Sequence, residues 1–190
     1  MKRSLILFLA SLAILFCQAQ SVLKFNKNGE FKIVQFTDVH FKYSNPASDA
    51  ALKRINEVLE AERPDLVVLT GDIVYAAPAD TAMRTVLSCV SSHKIPFVVT
   101  FGNHDNEQGK TRGELYDVIR SMPYNIQPDR GTLESPDYLL FVKSNDGKKD
   151  AALLYCFDSH SYSKLQDVKG YDWLTFDQVN WYRHQSALCK

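Results

Sequence analysis

Apolar runs that end abruptly in polar residues set the pattern of this chain. The run Phe31-Lys32-Ile33-Val34-Gln35-Phe36 gives way to Thr37-Asp38-Val39-His40. The fully apolar Leu66-Val67-Val68-Leu69 within 65–70 gives way to Gly71-Asp72, and the β-branched run from Ile95 to Phe101 gives way to Gly102-Asn103-His104-Asp105. Short β-branched runs bounded by Pro and Gly predict buried strands, and a strand without alternation needs cover on both faces. Between the runs, helical spacing predicts a helix over 49–62 with Leu52, Ile55 and Leu59 on one face and Pro64 just past its end. A second helix is predicted over 81–93, burying Val86, Leu87 and Val90. Strand, helix, strand, helix, strand in this order predicts an α/β chain whose neighbouring strands run parallel with helical crossovers. All three polar sets then fall on one edge of the sheet, where open α/β sheets place their ligands.

The flanks carry weaker patterns. Val22–Phe25 and 31–36, separated by Asn26-Lys27-Asn28-Gly29, predict a β-hairpin. Leu115, Val118, Ile119 and Met122 predict a helix over 114–122, and 123–136 reads as irregular. A second hairpin is predicted from 138–143 and 151–157 around Asn145-Asp146-Gly147. A last helix opens with the capping-box pattern Thr175-x-x-Gln178. Internal repeats, low-complexity tracts and linkers are absent from the sequence.

The first nineteen residues form a different kind of segment. Lys2-Arg3, an apolar stretch from Leu5 to Phe16 and the small-x-small Cys17-Gln18-Ala19 match a secretory leader. The stretch is short for a membrane anchor, and Phe16 before Cys17 argues against a lipoprotein. The expectation is a leader at 1–19 and one domain over 20–190, secreted or periplasmic and free of membrane. Charge is balanced, 22 basic against 22 acidic residues, so no bulk attraction draws nucleic acid or anionic lipid. Cys89, Cys156 and Cys189 are odd in number and widely spaced, which is no disulfide framework.

The chemistry lies in the three polar sets. Asn103 offers a neutral oxygen, His104 titrates near neutrality, and Asp105 is placed to hold the other nitrogen of that imidazole. Alone, Gly102–Asp105 also fits a turn followed by a solvated His-Asp pair; the same design at two earlier strand ends shifts the balance. Together Asp38, His40, Asp72, Asn103 and His104 form a mixed nitrogen and oxygen set suited to zinc, manganese or iron. A carboxylate on the middle strand can bridge two ions roughly 3.5–4 Å apart.

Asp38-x-His40, Gly71-Asp72 and Gly102-Asn103-His104-Asp105, in this order and each after an apolar strand, resemble the calcineurin-like metallophosphoesterase family. The sequence 32–41 looks like the single-domain, purple-acid-phosphatase-like branch. The resemblance covers roughly 22–186 and implies a four-layer α-β-β-α sandwich with two mixed sheets face to face. It implies that Asp38 and His40 bind a first metal, Asp72 bridges two and Asn103 binds the second. By the same resemblance His104 is the proton donor of phosphate-ester hydrolysis, and Asp105 fixes its orientation.

The family completes this site with three further histidines, one after a later strand and two in a Gly-His-x-His block. This sequence contains neither block, so the domain is expected to be incomplete at its C-terminus. His93 is expected at a helix C-terminus as a partner of its dipole, His184 on the surface of the last helix, and His160, after a strand end, is a candidate for the rim of the cleft. Gly71-Asp72-Ile73-Val74-Tyr75 also matches the Gly-Asp-x-x-Tyr block in which true purple acid phosphatases bind ferric iron through the tyrosine. Those enzymes carry glycine at the position of His40, so Tyr75 is expected as an aromatic wall of the cleft or as plain core. Two readings stand: a secreted two-metal phosphoesterase, or a catalytically incomplete or binding protein on the same fold.

Overall fold

The computed structural model describes residues 22–189. The leader expected at 1–19 lies outside the described residues. Ile33–Phe36 (β1), Leu66–Thr70 (β2) and Phe97–Thr100 (β3) form one sheet in the order β1-β2-β3, every pair parallel. The crossovers are Asp49–Glu62 (α1) and Ala79–Ser91 (α2). Helix α1 has the bounds its periodicity predicts. It stops at Arg63, which adopts a left-handed conformation and returns its N–H to the Leu59 carbonyl. Helix α2 starts two residues earlier than its apolar face suggests, because Pro78 sits in extended conformation at the N-cap.

Arg112–Arg120 (α3) likewise begins before the predicted Glu114. Thr111 accepts from the Glu114 N–H while the Glu114 side chain accepts from Thr111 N–H, a capping box whose Thr-x-x-Glu signature is present in the sequence. Tyr138–Lys143 (β4) and Asp150–Cys156 (β5) form the expected antiparallel hairpin, and Phe176–Leu188 (α4) opens with the expected capping box.

Alternation along β2 and β3 builds two cores. Val67, Leu69, Phe97 and Val99 pack against the helices, meeting Ile55, Leu59, Met83, Val86, Leu87, Leu115 and Ile119. Leu66, Val68 and Val98 point the other way, onto Leu23, Tyr138, Leu140, Val142 and Cys156. The β4–β5 sheet therefore lies face to face with the first sheet. On its outer side, Tyr155 and Phe157 meet Trp181 and Tyr182 of α4 edge-on or tilted. The order helices, sheet, sheet, helix is the four-layer α-β-β-α arrangement. No helix among the described residues is long and apolar enough to cross a membrane.

One predicted element divides. The 26–30 turn forms, but its two arms part company instead of pairing as a hairpin. β1 joins β2, while Lys24 bridges in parallel to Lys143 on β4 and Leu23 enters the inter-sheet core. Burying Leu23 between two sheets gains more apolar contact than an isolated hairpin could offer. The bridge also adds parallel pairing to the β4–β5 sheet, whereas the first sheet is wholly parallel rather than mixed.

The outer edge of β3 is sealed without a strand. Phe97 pairs with the irregular 124–126 segment through its N–H to Tyr124 and its carbonyl from Ile126. At Val99 two side chains replace a strand: Gln127 Oε1 accepts the N–H at 2.8 Å, and the Tyr138 hydroxyl donates to the carbonyl at 3.1 Å. Tyr138→Phe removes that donor from a buried carbonyl and is expected to cost about 1–3 kcal/mol. Urea denaturation should show this as a lower midpoint at unchanged slope; an unmoved midpoint would mean that Val99 has another donor.

Candidate metal centre

The loops after β1 and β2 extend their ladder past the strands. Asp38 N–H donates to Gly71 O, His40 N–H to Asp72 O and Phe41 N–H to Ile73 O, at 2.9–3.1 Å. This side-by-side course holds Asp38, His40 and Asp72 at φ of 54°, 47° and 51°. Left-handed conformations in non-glycine residues cost of order 1–3 kcal/mol each, and Asp and His are among the residues that tolerate them best. Three of the expected ligands are thus held in a backbone state they would leave without support.

The third loop supplies the support. Gly71 and Gly102 lie back to back: a Cβ on Gly71 would come within 2.3 Å of Gly102 N, and one on Gly102 within 2.1 Å of Asp72 Oδ1. No side chain fits at either position. Behind them, the fully buried Asp105 accepts N–H groups from Asp72, Ile73, Val74 and Gly102 at 2.7–3.2 Å. Burial pushes its carboxyl above the ordinary value, while the N–H bonds from Gly102, Val74 and Ile73 pull the other way.

This geometry corrects the expected role of Asp105. Its carboxylate ties the second and third loops together instead of holding the His104 ring. The imidazole finds another carboxylate, Glu107, whose Oε2 lies 2.6 Å from Nδ1. That hydrogen bond raises the His104 pKa above its ordinary value. Glu107 is held below the usual glutamate range, first by the Tyr162 hydroxyl and then by His104.

The other expected residues converge. The His104 N–H donates to Asp72 Oδ1 at 2.9 Å, and His40 Nε2 stands 3.5 Å from Asp72 Oδ2 and 3.9 Å from Asp38 Oδ1. Asn103 Nδ2 donates to the Tyr162 hydroxyl at 2.9 Å, leaving its carbonyl oxygen as a free acceptor. Among the described residues, His40, Asp72 and His104 offer ligand atoms within 4.8 Å of one another. The donor set is oxygen and imidazole without thiolate, which fits a hard or borderline divalent ion. The family resemblance implies proton transfer for His104, and the structure sets it in one cluster with the expected ligands His40 and Asp72. Tyr75 packs beside the two imidazoles: its ring centroid lies 5.0 Å from that of His40 and 4.9 Å from that of His104, with Lys42 Nζ over its ring.

The cleft has a volume of about 230 Å³ and is walled by the first sheet's loops on one side and by residues after β5 on the other. His160 does line it, with its Nε2 engaged by Gln178 at 3.1 Å. His184 is exposed on α4, and His93 bonds Asn56 of α1 instead of serving only its own helix end. Sequence reasoning missed Glu107, Ser161, Tyr162, Tyr171 and Asp172. Ser161 donates to the Asn103 backbone carbonyl at 2.9 Å, leaving the side-chain Oδ1 aside, and Tyr171 and Asp172 line the cleft. It also missed Arg112, which donates to Gly102 O and Asn106 Oδ1 and pairs with the buried Asp158.

The family described as calcineurin-like phosphoesterase matches residues 31–187. The chain belongs to this family. It is 29% identical to a probable inactive purple acid phosphatase 29 of Arabidopsis thaliana, over 88% of this chain and 50% of that protein. It is 30% identical to the phosphatase DCR2 of Saccharomyces cerevisiae, over 79% of this chain and 30% of that one. With the UDP-2,3-diacylglucosamine pyrophosphatase LpxG of Chlamydia trachomatis serovar D it shares 35% identity over 72% of this chain and 41% of that protein. The chain spans half or less of the length of these curated relatives. The family is one of metal-dependent phosphoesterases, and in this chain His40, Asp72 and His104 converge as a group able to hold an ion.

Asp105→Asn turns one acceptor oxygen into an amide donor that faces backbone N–H groups. In the metal-free chain this is expected to cost at least about 1–3 kcal/mol in urea denaturation. A loss of metal affinity at full stability would instead place Asp105 in the cleft chemistry.

Proposed function

We propose that this chain carries part of the site of a secreted, metal-dependent phosphoesterase. The observation that carries the reading is the convergence of Asp38, His40, Asp72, Asn103 and His104 at one edge of three consecutive parallel strands. Asp38 and His40 would hold one ion, Asp72 would bridge, and Asn103 would give its carbonyl oxygen to a second; iron, manganese and zinc all suit the set. When bound, the ions supply Lewis acidity toward the phosphoryl oxygens and activate water for in-line attack. His104, with its Nδ1–H held by Glu107, has Nε2 left for the leaving-group oxygen and would give up the second proton of its imidazolium form there, returning to the neutral ring. Gly71 and Gly102 let the second and third loops approach closely enough for Asp72 to meet the His104 backbone.

The substrate class is phosphate esters, monoester, diester or the diphosphate of a nucleotide conjugate such as the name of the chlamydial relative suggests. Balanced charge supports a small substrate over nucleic acid, and the 1–19 leader supports export from the cytosol. A second reading, a catalytically incomplete or binding protein, is favoured by the relatives named probable inactive.

Metal analysis after dialysis separates the roles. The 190-residue chain is expected to retain at most one equivalent, since the second ion meets only Asp72 and Asn103. Asp72→Asn should empty the site, whereas His104→Asn should keep its metal and lower aryl phosphate turnover by about 10²–10⁴-fold. Equal metal loss in both variants would make His104 a ligand. Tyr75→Phe should keep its metal, and the iron-loaded protein should show no visible tyrosinate-to-iron band; a coloured protein that bleaches on Tyr75→Phe would make the tyrosine a ligand.

A further inference from the structure

Asp105 has no free acceptor with which to orient His104. Its two oxygens already take N–H groups from Asp72, Ile73, Val74 and Gly102, on the buried side of the loop. Two residues further on, the chain turns back through a Glu107 N–H bond to the His104 carbonyl at 3.1 Å. This turn brings Glu107 Oε2 to within 2.6 Å of Nδ1 on the ring. The second carboxylate oxygen accepts from the Tyr162 hydroxyl at 2.7 Å, and that hydroxyl accepts from Asn103 Nδ2 at 2.9 Å.

These contacts make one chain of bonds: Asn103 to Tyr162, Tyr162 to Glu107, Glu107 to His104. We infer that Glu107 is the positioning residue of this site, fixing Nδ1 of His104 as the donor nitrogen and, through Tyr162, the rotamer and flip of the Asn103 amide. A carboxylate only accepts, so it keeps one proton on Nδ1 in both the neutral and the charged ring and leaves Nε2 as the nitrogen that gains and gives up the second proton. The same carboxylate orients the Tyr162 hydroxyl so that its lone pair meets Nδ2–H, which turns Asn103 Oδ1 away from Tyr162. One exposed-side glutamate thereby sets two neighbouring groups that the proposed hydrolysis uses differently, one for ligation and one for protonation.

Tyr162 comes from the 159–172 segment, which is distant in sequence. It stacks on Tyr171 with centroids 5.8 Å apart, and the two residues form an antiparallel bridge. Glu107 is therefore also the point where this segment is fastened to the loop after β3. Ser161, bonded to the Asn103 carbonyl, makes a parallel attachment that does not pass through Glu107.

The inference rests on the proposed hydrolytic reading for its consequence and on the hydrogen bonds alone for its geometry, so two measurements are paired. The first is the two-bond proton–nitrogen NMR correlation of ¹⁵N-histidine in the metal-free chain at one fixed pH, with His104 assigned by its loss in His104→Asn. The wild-type ring is expected in the Nδ1–H form, and Glu107→Ala should shift it toward the Nε2–H form. Glu107→Gln, which is isosteric, gives the same reading with a smaller shift and serves where the alanine variant does not fold. The second is turnover of the metal-loaded chain on an aryl and an alkyl phosphate. Glu107→Ala should lower kcat for the alkyl ester roughly tenfold more than for the aryl ester, because the poorer leaving group depends more on a positioned acid. KM should stay as it is, and the one retained equivalent of metal, assigned to Asp38, His40 and Asp72 and not to Asn103, should remain bound. A His104 ring that keeps its Nδ1–H form in both Glu107 variants overturns the inference, as does an equal loss of kcat for both esters. A ring that changes form while the wild-type chain hydrolyses neither ester favours the reading of a catalytically incomplete or binding protein and leaves Glu107 as the residue that positions His104.

Discussion

A single buried carboxylate sets the geometry on which the rest of the site depends. Asp105 is fully enclosed and accepts four backbone N–H groups, three from the loop after β2 and one from the loop after β3. A buried charge without partners would cost several kcal/mol. With four N–H donors it becomes a template around which two chain segments must fold. The template fixes the separation of the two loops, and Gly71 and Gly102 make that separation small. Asp72 is carried along by its own N–H, so its carboxylate lands against the His104 backbone and the His40 ring. The left-handed backbones of Asp38, His40 and Asp72 persist because the ladder to the first loop and the carboxylate behind the second allow no relaxation.

A second polar lock joins the two sheets across the cleft. Arg112, at the start of α3, donates to the Gly102 carbonyl and to Asp158, which follows β5 and is buried. Gln178, at the start of α4, donates to the Asp158 carbonyl and to Asp137 and faces His160. Every member has partners, which is the condition for a buried network to rigidify instead of destabilise. The consequence is that the outer helix α4, whose only buried side chain is Gln178, is coupled to the metal loops through hydrogen bonds as well as through aromatic contacts. The far wall of the cleft is therefore placed by the same contacts that seat the fourth layer.

The strands and their polar ends were legible because both signals are local. Apolar runs broken by Gly-Asp or Gly-Asn-His-Asp need no knowledge of neighbours, and α1 was read to its bounds from Leu52, Ile55, Leu59 and Pro64. The N-terminal hairpin was misread because its turn is local but its pairing is not. Leu23 finds a better place between the sheets, and a sequence window cannot see that alternative. The Thr111 capping box was legible and passed over. Tyr162, Tyr171 and Asp172 were not legible at all. They sit in an irregular segment without periodicity, and their approach to Asn103 and Asp38 depends on how the second sheet packs on the first.

The misassignment of Asp105 has a simple physical root, visible when the three acidic residues of the motifs are compared. A carboxylate offers about four lone-pair sites. In Asp105 all four are filled by backbone N–H groups, so no capacity remains for an imidazole or an ion. In Asp72 one oxygen takes the His104 N–H and the other faces His40, which leaves partial capacity at a side chain only 14% exposed. In Asp38 the side chain is 61% exposed; Oδ2 accepts from Thr37 at 2.6 Å, and Oδ1 stands 3.9 Å from His40. The gradient from saturated to open runs from the core to the cleft. It orders the three carboxylates from saturated scaffold to open acceptor, in line with the bridging and terminal roles proposed for Asp72 and Asp38, although all three are aspartates beside a strand end. Residue type and motif position name the candidates, and the number of lone pairs already occupied separates those that hold the chain from those that can hold an ion.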